Sequence, residues 1–249
     1  VARMGADFFS MSMRNGVGEG GGALHAIVGT LLVTLAAAVI SIPIGLFTAI
    51  YLIEYGRGGR LARGITFFVD VMTGIPSIVA GLFAYALFAL FLGPGVRMGI
   101  MGSIALAVLM IPVVVRSSEE MLRLVPNELR EAAYALGVPK WLTIVKVVLP
   151  TSIAGITTGI MLSISRVIGE TAPLLITAGF TASMNYNLFN DRMQSLPVYV
   201  YTQFANQGNP AFAFFERAWA AALVLILIVM ALNLVARFVA FKFSPKHGR

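Results

Sequence analysis

Two charged side chains sit where a chain of this composition tolerates charge least. Arg166 and Glu170 lie four residues apart inside a long apolar stretch, with Pro173 three residues further on. A charge at the centre of a membrane-length helix costs about 2.5–3.5 kcal/mol on insertion scales, so each one needs a reason. In a continuous helix, residues four apart share a face. Pro173 would leave the carbonyl of Gly169 without its helical partner. Charge, countercharge and loosened backbone within two turns form the pattern of a polar path through a helical bundle. In that reading Arg166 attracts an anion through charge-assisted hydrogen bonds. Glu170 either holds Arg166 in place or accepts a proton-bearing oxygen of the anion, which phosphate carries at neutral pH and sulfate does not. The alternative is a static ion pair that glues two helices or satisfies itself. Asp70, near the end of another apolar stretch, can reach water from there and receives no assigned role.

Other chemistries are excluded by what the chain lacks. It contains no cysteine, hence no disulfide, thiolate metal site or catalytic thiol, and its two histidines, His25 and His247, are too far apart in sequence to suggest a metal pair. No GxxxxGK[ST] run is present to cradle nucleotide phosphates. The chain therefore reads as non-catalytic, with no metal and no cofactor of its own.

The elements that must position these charges are membrane helices. Of 249 residues, 58% are hydrophobic and 12% charged, with a mean hydropathy of +0.87; soluble domains are nearer half apolar and a quarter charged. The fold class is an all-α polytopic membrane bundle. Five apolar segments are long enough to span: about 24–53, 65–92, 100–115, 149–180 and 218–241. Pro43 predicts a kink in the first. The second contains Gly74 and Pro76, a hinge or a fixed kink, with the kink favoured because it requires no motion. Residues 1–23, rich in glycine, read as a flexible lead-in outside the membrane; 24–243 form the transmembrane domain. Residues 181–216 read as a wet loop on the outer side. In it Ser195 and Pro197 start a short interfacial helix, with Tyr186, Tyr199, Tyr201 and Phe204 near the headgroups.

Orientation follows from the basic residues. Alternate loops carry Arg57, Arg60 and Arg63, then Arg116, Arg123, Arg130, Lys140 and Lys146, then Arg237, Lys242, Lys246 and Arg249. The opposite loops carry Arg3, Arg14, Arg97, Arg192 and Arg217. Twelve against five places the first set, and the tail 244–249, in the cytoplasm. The net charge of +7 is thereby explained by topology, without nucleic acid.

Between the third and fourth spans lies EAAYALGVPKWLTIVKVVLP, residues 131–150. Pro126 suits a helix start and Gly137 a helix end, and Pro139 opens a second, turned helix. Leu129, Ala132, Ala133 and Leu136 fall at helical spacing. The predicted product is a bent helical knob whose two alanines invite close approach by another backbone. An ordinary cytoplasmic loop is the alternative.

This run resembles the EAA loop of ABC-importer permeases. Glu131, Ala132, Ala133, Gly137, Leu149 and Pro150 match the motif, and Val147 stands where the family often has Ile. Three further runs, Asp70–Phe83, Ser165–Gly179 and Ser195–Phe204, are similar to PstA-type permeases, the membrane subunits of phosphate importers. The resemblance implies that loop 117–150 couples to an ATPase subunit, which binds the ATP, and that Arg166 and Glu170 line the substrate path. It also implies a second permease subunit, two ATPase subunits and an external phosphate-binding protein, in a multi-pass protein of the cell inner membrane. The family commonly has one more span, so a sixth helix upstream of Val1 is expected. The rival readings are a permease for another oxyanion such as molybdate or sulfate, an ion-coupled secondary carrier, and a membrane scaffold.

Overall fold

A computed structural model describes residues 5–13, 20–56, 58–206, 208 and 210–243. The described elements are α1 (Ala6–Ser10), α2 (Leu24–Tyr55), α3 (Arg60–Thr73), α4 (Ser77–Leu92), α5 (Gly99–Arg123), α6 (Asn127–Ala135), α7 (Lys140–Val167), α8 (Ala172–Thr177), α9 (Leu196–Ala205) and α10 (Ala211–Phe243). Helices α2, α5, α7 and α10 are long and apolar enough to cross a membrane. Helices α3 and α4 make a fifth span if taken together, but they meet at 110°. The cause is local. Pro76 has no N–H to continue the ladder and biases Ile75 away from helical geometry. The N–H of Gly74 closes α3 onto Val71 O at 3.1 Å.

The chain divides into two compact units, with the boundaries falling inside α2, α5 and α10, between α3 and α4, and near the end of α7. In one unit (1–40, 75–110 and 164–230), Phe8, Ala26, Leu196, Tyr199, Ala220 and Val224 form a buried cluster. The short helix α8 is held by glycines on two neighbours. A Cβ on Gly81 of α4 would lie 2.6 Å from Pro173 Cα, and one on Gly102 of α5 would lie 2.9 Å from Leu174 Cδ2. In the other unit (41–74, 111–163 and 231–249), Ala49, Leu122, Val125, Val148 and Ile156 are buried together. Two helices here contain a π-wound turn, Tyr51–Tyr55 at the end of α2 and Ile144–Val148 near the start of α7.

Several boundaries differ from the expectations. The fourth span begins at Lys140 and stops at Val167 rather than running from 149 to 180. After it, Ile168 and Gly169 form a turn, and the chain re-enters a helix at Ala172 with Pro173 in its first turn. A proline is tolerated there because a first-turn N–H has no helical partner to lose. Helix α5 continues to Arg123, so the loop to the next span begins only at Leu124.

The lead-in is not featureless: α1 buries Phe8 at 2% exposure, and the N–H of Ala23 donates to Phe8 O at 2.8 Å. The glycines dominated the composition and masked one apolar anchor. The stretch 181–216 contains a core helix, because Leu196, Pro197, Val198, Tyr199 and Gln203 of α9 are buried. Burial pushes the Tyr199 hydroxyl up to about 12, against the opposing pull of Arg217, so it stays protonated. Of the predicted interfacial aromatics, Tyr186, Tyr201 and Phe204 are exposed and Tyr199 is not. The tail 244–249 and Arg57 lie outside the described residues.

Candidate functional site

Arg166 stands in the last turn of α7 and is exposed, while Glu170 is half-buried in the link to α8. The N–H of Glu170 donates to Val167 O at 3.1 Å, which tightens the chain out of the helix. The helix therefore ends between the two residues, and they do not share a helical face as a continuous segment would require. Among the described residues, neither side chain forms an ion pair, with the other or with anything else. A cation in the last turn of a helix is stabilised by the carbonyl dipoles there. Among the described residues the five N–H donors of the Arg166 guanidinium meet no carboxylate. An interrupted helix with a charge at the break is how transporters build polar sites inside apolar segments.

The second predicted site is the knob, α6 with the turn that follows. Gly137 has φ +74, the left-handed geometry that a non-glycine residue adopts only with strain. Its N–H donates to Tyr134 O at 2.9 Å and that of Val138 to Ala133 O at 3.1 Å, so two end carbonyls of α6 are satisfied. Pro139 then begins α7, as the spacing predicts.

The orientation of the knob differs from the expected one. Glu131 and Ala132 are exposed, but Ala133 is buried against the rest of its unit. The two alanines do not form one outward face. What faces out is the apolar stripe of Leu129, Ala132 and Leu136, with Leu136 84% exposed. Arg130 turns inward. An amphipathic helix normally buries such a stripe; here it is exposed.

The sequence reading missed a third cluster. Arg116 Nη1 donates to Glu119 Oε2 at 2.8 Å, Arg116 Nη2 donates to Asp70 Oδ1, and Arg123 Nη2 lies 3.7 Å from Glu119 Oε1. Glu119 is buried, and with Asp70, Arg63 and Arg123 it lines a recess of about 350 Å³. The available signal was the spacing of Arg116 and Glu119, three apart at the end of an apolar run. Asp70 thereby acquires a partner. Among the described residues, no group of His, Asp and Glu could hold a metal ion.

The chain is similar to known proteins in sequence and in fold. Residues 41–248 match the family described as "Binding-protein-dependent transport system inner membrane component". The chain is 52% identical over 221 residues to the phosphate transport system permease protein PstA 1 of Mycobacterium tuberculosis, covering 89% of this chain and 71% of that protein. It is 48% identical over 239 residues to PstA of Mycobacterium leprae (95% and 76% covered) and 44% identical over 222 residues to PstA of Pasteurella multocida (89% and 77% covered). Among solved structures, a permease-fold chain of the inward-facing MetNI methionine ABC transporter superposes with a TM-score of 0.72 at 18% identity, covering 89% of this chain and 95% of that one. An amino acid ABC transporter superposes with a TM-score of 0.66 at 17% identity, covering 88% and 92%. At those identities the structures speak for the fold, and the fold is that of ABC-importer permeases. With four helices, or five if α3 and α4 count as one span, apolar enough to cross a membrane among the described residues, and with a family match over 41–248, this chain is a membrane-spanning permease that belongs to the family of binding-protein-dependent transport-system inner-membrane components.

Proposed function

We propose that this chain is the transmembrane subunit through which an ATP-driven importer moves inorganic phosphate into the cell. The observation that carries the reading is Arg166: a guanidinium at the end of a membrane-length helix, paired with nothing among the described residues, in a chain whose relatives are phosphate permeases. Such a group binds a tetrahedral oxyanion through two parallel N–H···O contacts. Glu170, four residues on, accepts the O–H that phosphate carries and repels fully deprotonated anions. That Arg166 has no ion-pair partner among the described residues counts against the scaffold reading, in which it should grip a carboxylate on another helix.

The knob supports the rest of the assembly. Its exposed stripe is a docking face for an ATPase subunit, with Glu131, Ala132 and Gly137 exposed beside Leu136 and Ala133 bracing the helix from behind. ATP is bound and hydrolysed by that partner. Two such ATPases, a second permease subunit and an external phosphate-binding protein complete the transporter in the inner membrane. The knob and the C-terminus face the cytoplasm, as the distribution of Lys and Arg indicates.

The test is uptake of labelled inorganic phosphate by the reconstituted complex, with sulfate and molybdate as competitors. Phosphate alone should compete effectively, uptake should require ATP, and Arg166→Gln should assemble but not transport. Preferential uptake of sulfate or molybdate would reassign the substrate. Uptake that survives loss of the ATPase but collapses with the proton gradient would mark a secondary carrier. Loss of assembly in Arg166→Gln would return the residue to a structural role.

A further inference from the structure

The knob is attached to its own unit in a manner that neither the motif nor its relatives' names describe. Arg130, immediately before the Glu-Ala-Ala run, directs its guanidinium inward. Its Nε and Nη2 reach Glu54 Oε1 at 3.1 and 2.9 Å. Nη2 also donates to Leu122 O at 3.0 Å, and Nη1 to Val125 O at 2.6 Å and Asn127 Oδ1 at 3.3 Å. One side chain thus joins three segments: the end of α2 through Glu54, the end of α5 and the turn after it through two backbone carbonyls, and α6 itself. Both partners of the ion pair are largely buried, with side-chain exposures of 13% for Arg130 and 5% for Glu54.

Lys140, at the start of α7, adds a fourth tie. Its ammonium donates to the backbone oxygen of Glu54 and lies 4.8 Å from the centre of the Tyr55 ring. The carbonyl of Leu122 is one of those at the end of a helix with no intrahelical partner, so the guanidinium fills a need that exists anyway. Glu54 sits within the π-wound turn Tyr51–Tyr55, and a second π-wound turn, Ile144–Val148, packs against α6. Such turns are rare and cluster at functional positions. Here both of them flank the knob.

We propose that the Glu54–Arg130 pair is a transmission clasp: it makes the knob, the end of α2 and the end of α5 move as one body when the ATPase pulls. The proposal rests on the reading of α6 as the ATPase docking helix. Without the clasp, force applied to α6 reaches the ends of α2 and α5 only through the links at its ends and its packing against the start of α7. Part of a stroke would then be lost before it reached α2 and α5. Arg130 and Glu54 are therefore positioning residues, acting on the path through the helices they bind. A lysine at 130 keeps the charge but loses the planar fork that contacts the carboxylate and two carbonyls together.

The readout is labelled phosphate taken up per ATP hydrolysed by the full complex in proteoliposomes. Glu54→Gln is expected to lower that ratio about tenfold and Arg130→Lys about threefold, within the range over which mutations shift coupling between sites. ATP hydrolysis should continue in both. Reversing both charges (Glu54→Arg with Arg130→Glu) should recover part of the loss seen with Arg130→Glu alone. The clasp is refuted if both single variants keep the wild-type ratio. It is equally refuted if their defect consists only of less assembled complex, with each remaining complex as well coupled as wild type. A wild-type complex that hydrolyses ATP without moving phosphate would instead overturn the docking and substrate reading, so the two failures are distinguishable.

Discussion

Replacing Gly81 by alanine tests whether the break after α7 is part of the substrate path. The added methyl carbon would lie 2.6 Å from Pro173 Cα, 3.1 Å from Pro173 Cβ and 3.1 Å from Pro173 O. Carbon atoms rest at about 3.5–4.0 Å, so the two backbones must separate by roughly 1 Å. The obstructing atoms belong to a proline and to backbone, neither of which can rotate away. Insertions of this kind into packed interiors cost about 1–3 kcal/mol, a strain the surrounding helices can absorb without loss of the fold.

Helix α8 is only six residues long, and Glu170 lies two residues before it. A shift of α8 is therefore delivered to the link that holds Glu170 beside the end of α7. Displacements near 1 Å cost on the order of 10²-fold where groups must be aligned for chemistry, and a similar sensitivity applies to a site that must match a tetrahedral anion. The expected result is at least a tenfold drop in labelled phosphate uptake, with normal amounts of assembled complex by co-purification. Gly74→Ala serves as the control, because its added carbon meets nothing closer than Val71 O at 3.6 Å. Wild-type uptake by an assembled Gly81→Ala complex would refute the reasoning. So would an equal loss in Gly74→Ala.

Three further outcomes are expected. Leu136→Asp places a charge on the outermost apolar residue of the knob, 84% exposed; the chain should still reach the membrane but no longer co-purify an ATPase subunit. Gly137→Ala forces a Cβ into φ +74, at a cost of about 1 kcal/mol or more, and should lower ATPase affinity measurably while leaving thermal stability of the rest nearly unchanged. Glu170→Gln keeps an acceptor oxygen but removes the carboxylate charge that repels a fully deprotonated anion, so sulfate should become a competitor in the uptake assay; unchanged discrimination would remove Glu170 from the selectivity account.

Spans were legible because membrane insertion acts on composition summed over about 20 residues, a property that needs no tertiary information. The knob was legible for a different reason. Pro126, Gly137 and Pro139 act on backbone geometry within a few residues, and all three perform as their types predict. The end of α7 at Val167 was harder to see. Arg166 and Glu170 read as partners on one face because periodicity assumes that the helix continues. Pro173 was recognised as a disturbance, but nothing local says whether a helix bends through such a residue or stops and restarts. Packing against Gly81 and Gly102 accompanies the second outcome, and those glycines lie 92 and 72 positions earlier in the sequence of Pro173 and Leu174 contacts.

The amino-acid sequence by itself determined that the chain is a helical membrane bundle, where its apolar segments fall, and that a bent helical knob interrupts them. These follow from transfer free energies and from the allowed angles of proline and glycine, which are properties of single residues and short windows. Only the tertiary structure decided that Arg166 has no ion-pair partner among the described residues, that Ala133 faces inward while Leu136 faces outward, and that Arg130 binds Glu54 across 76 positions of sequence. Charge pairing and the choice of which side of a short helix to bury depend on what distant segments bring within about 4 Å, and no local pattern encodes that distance.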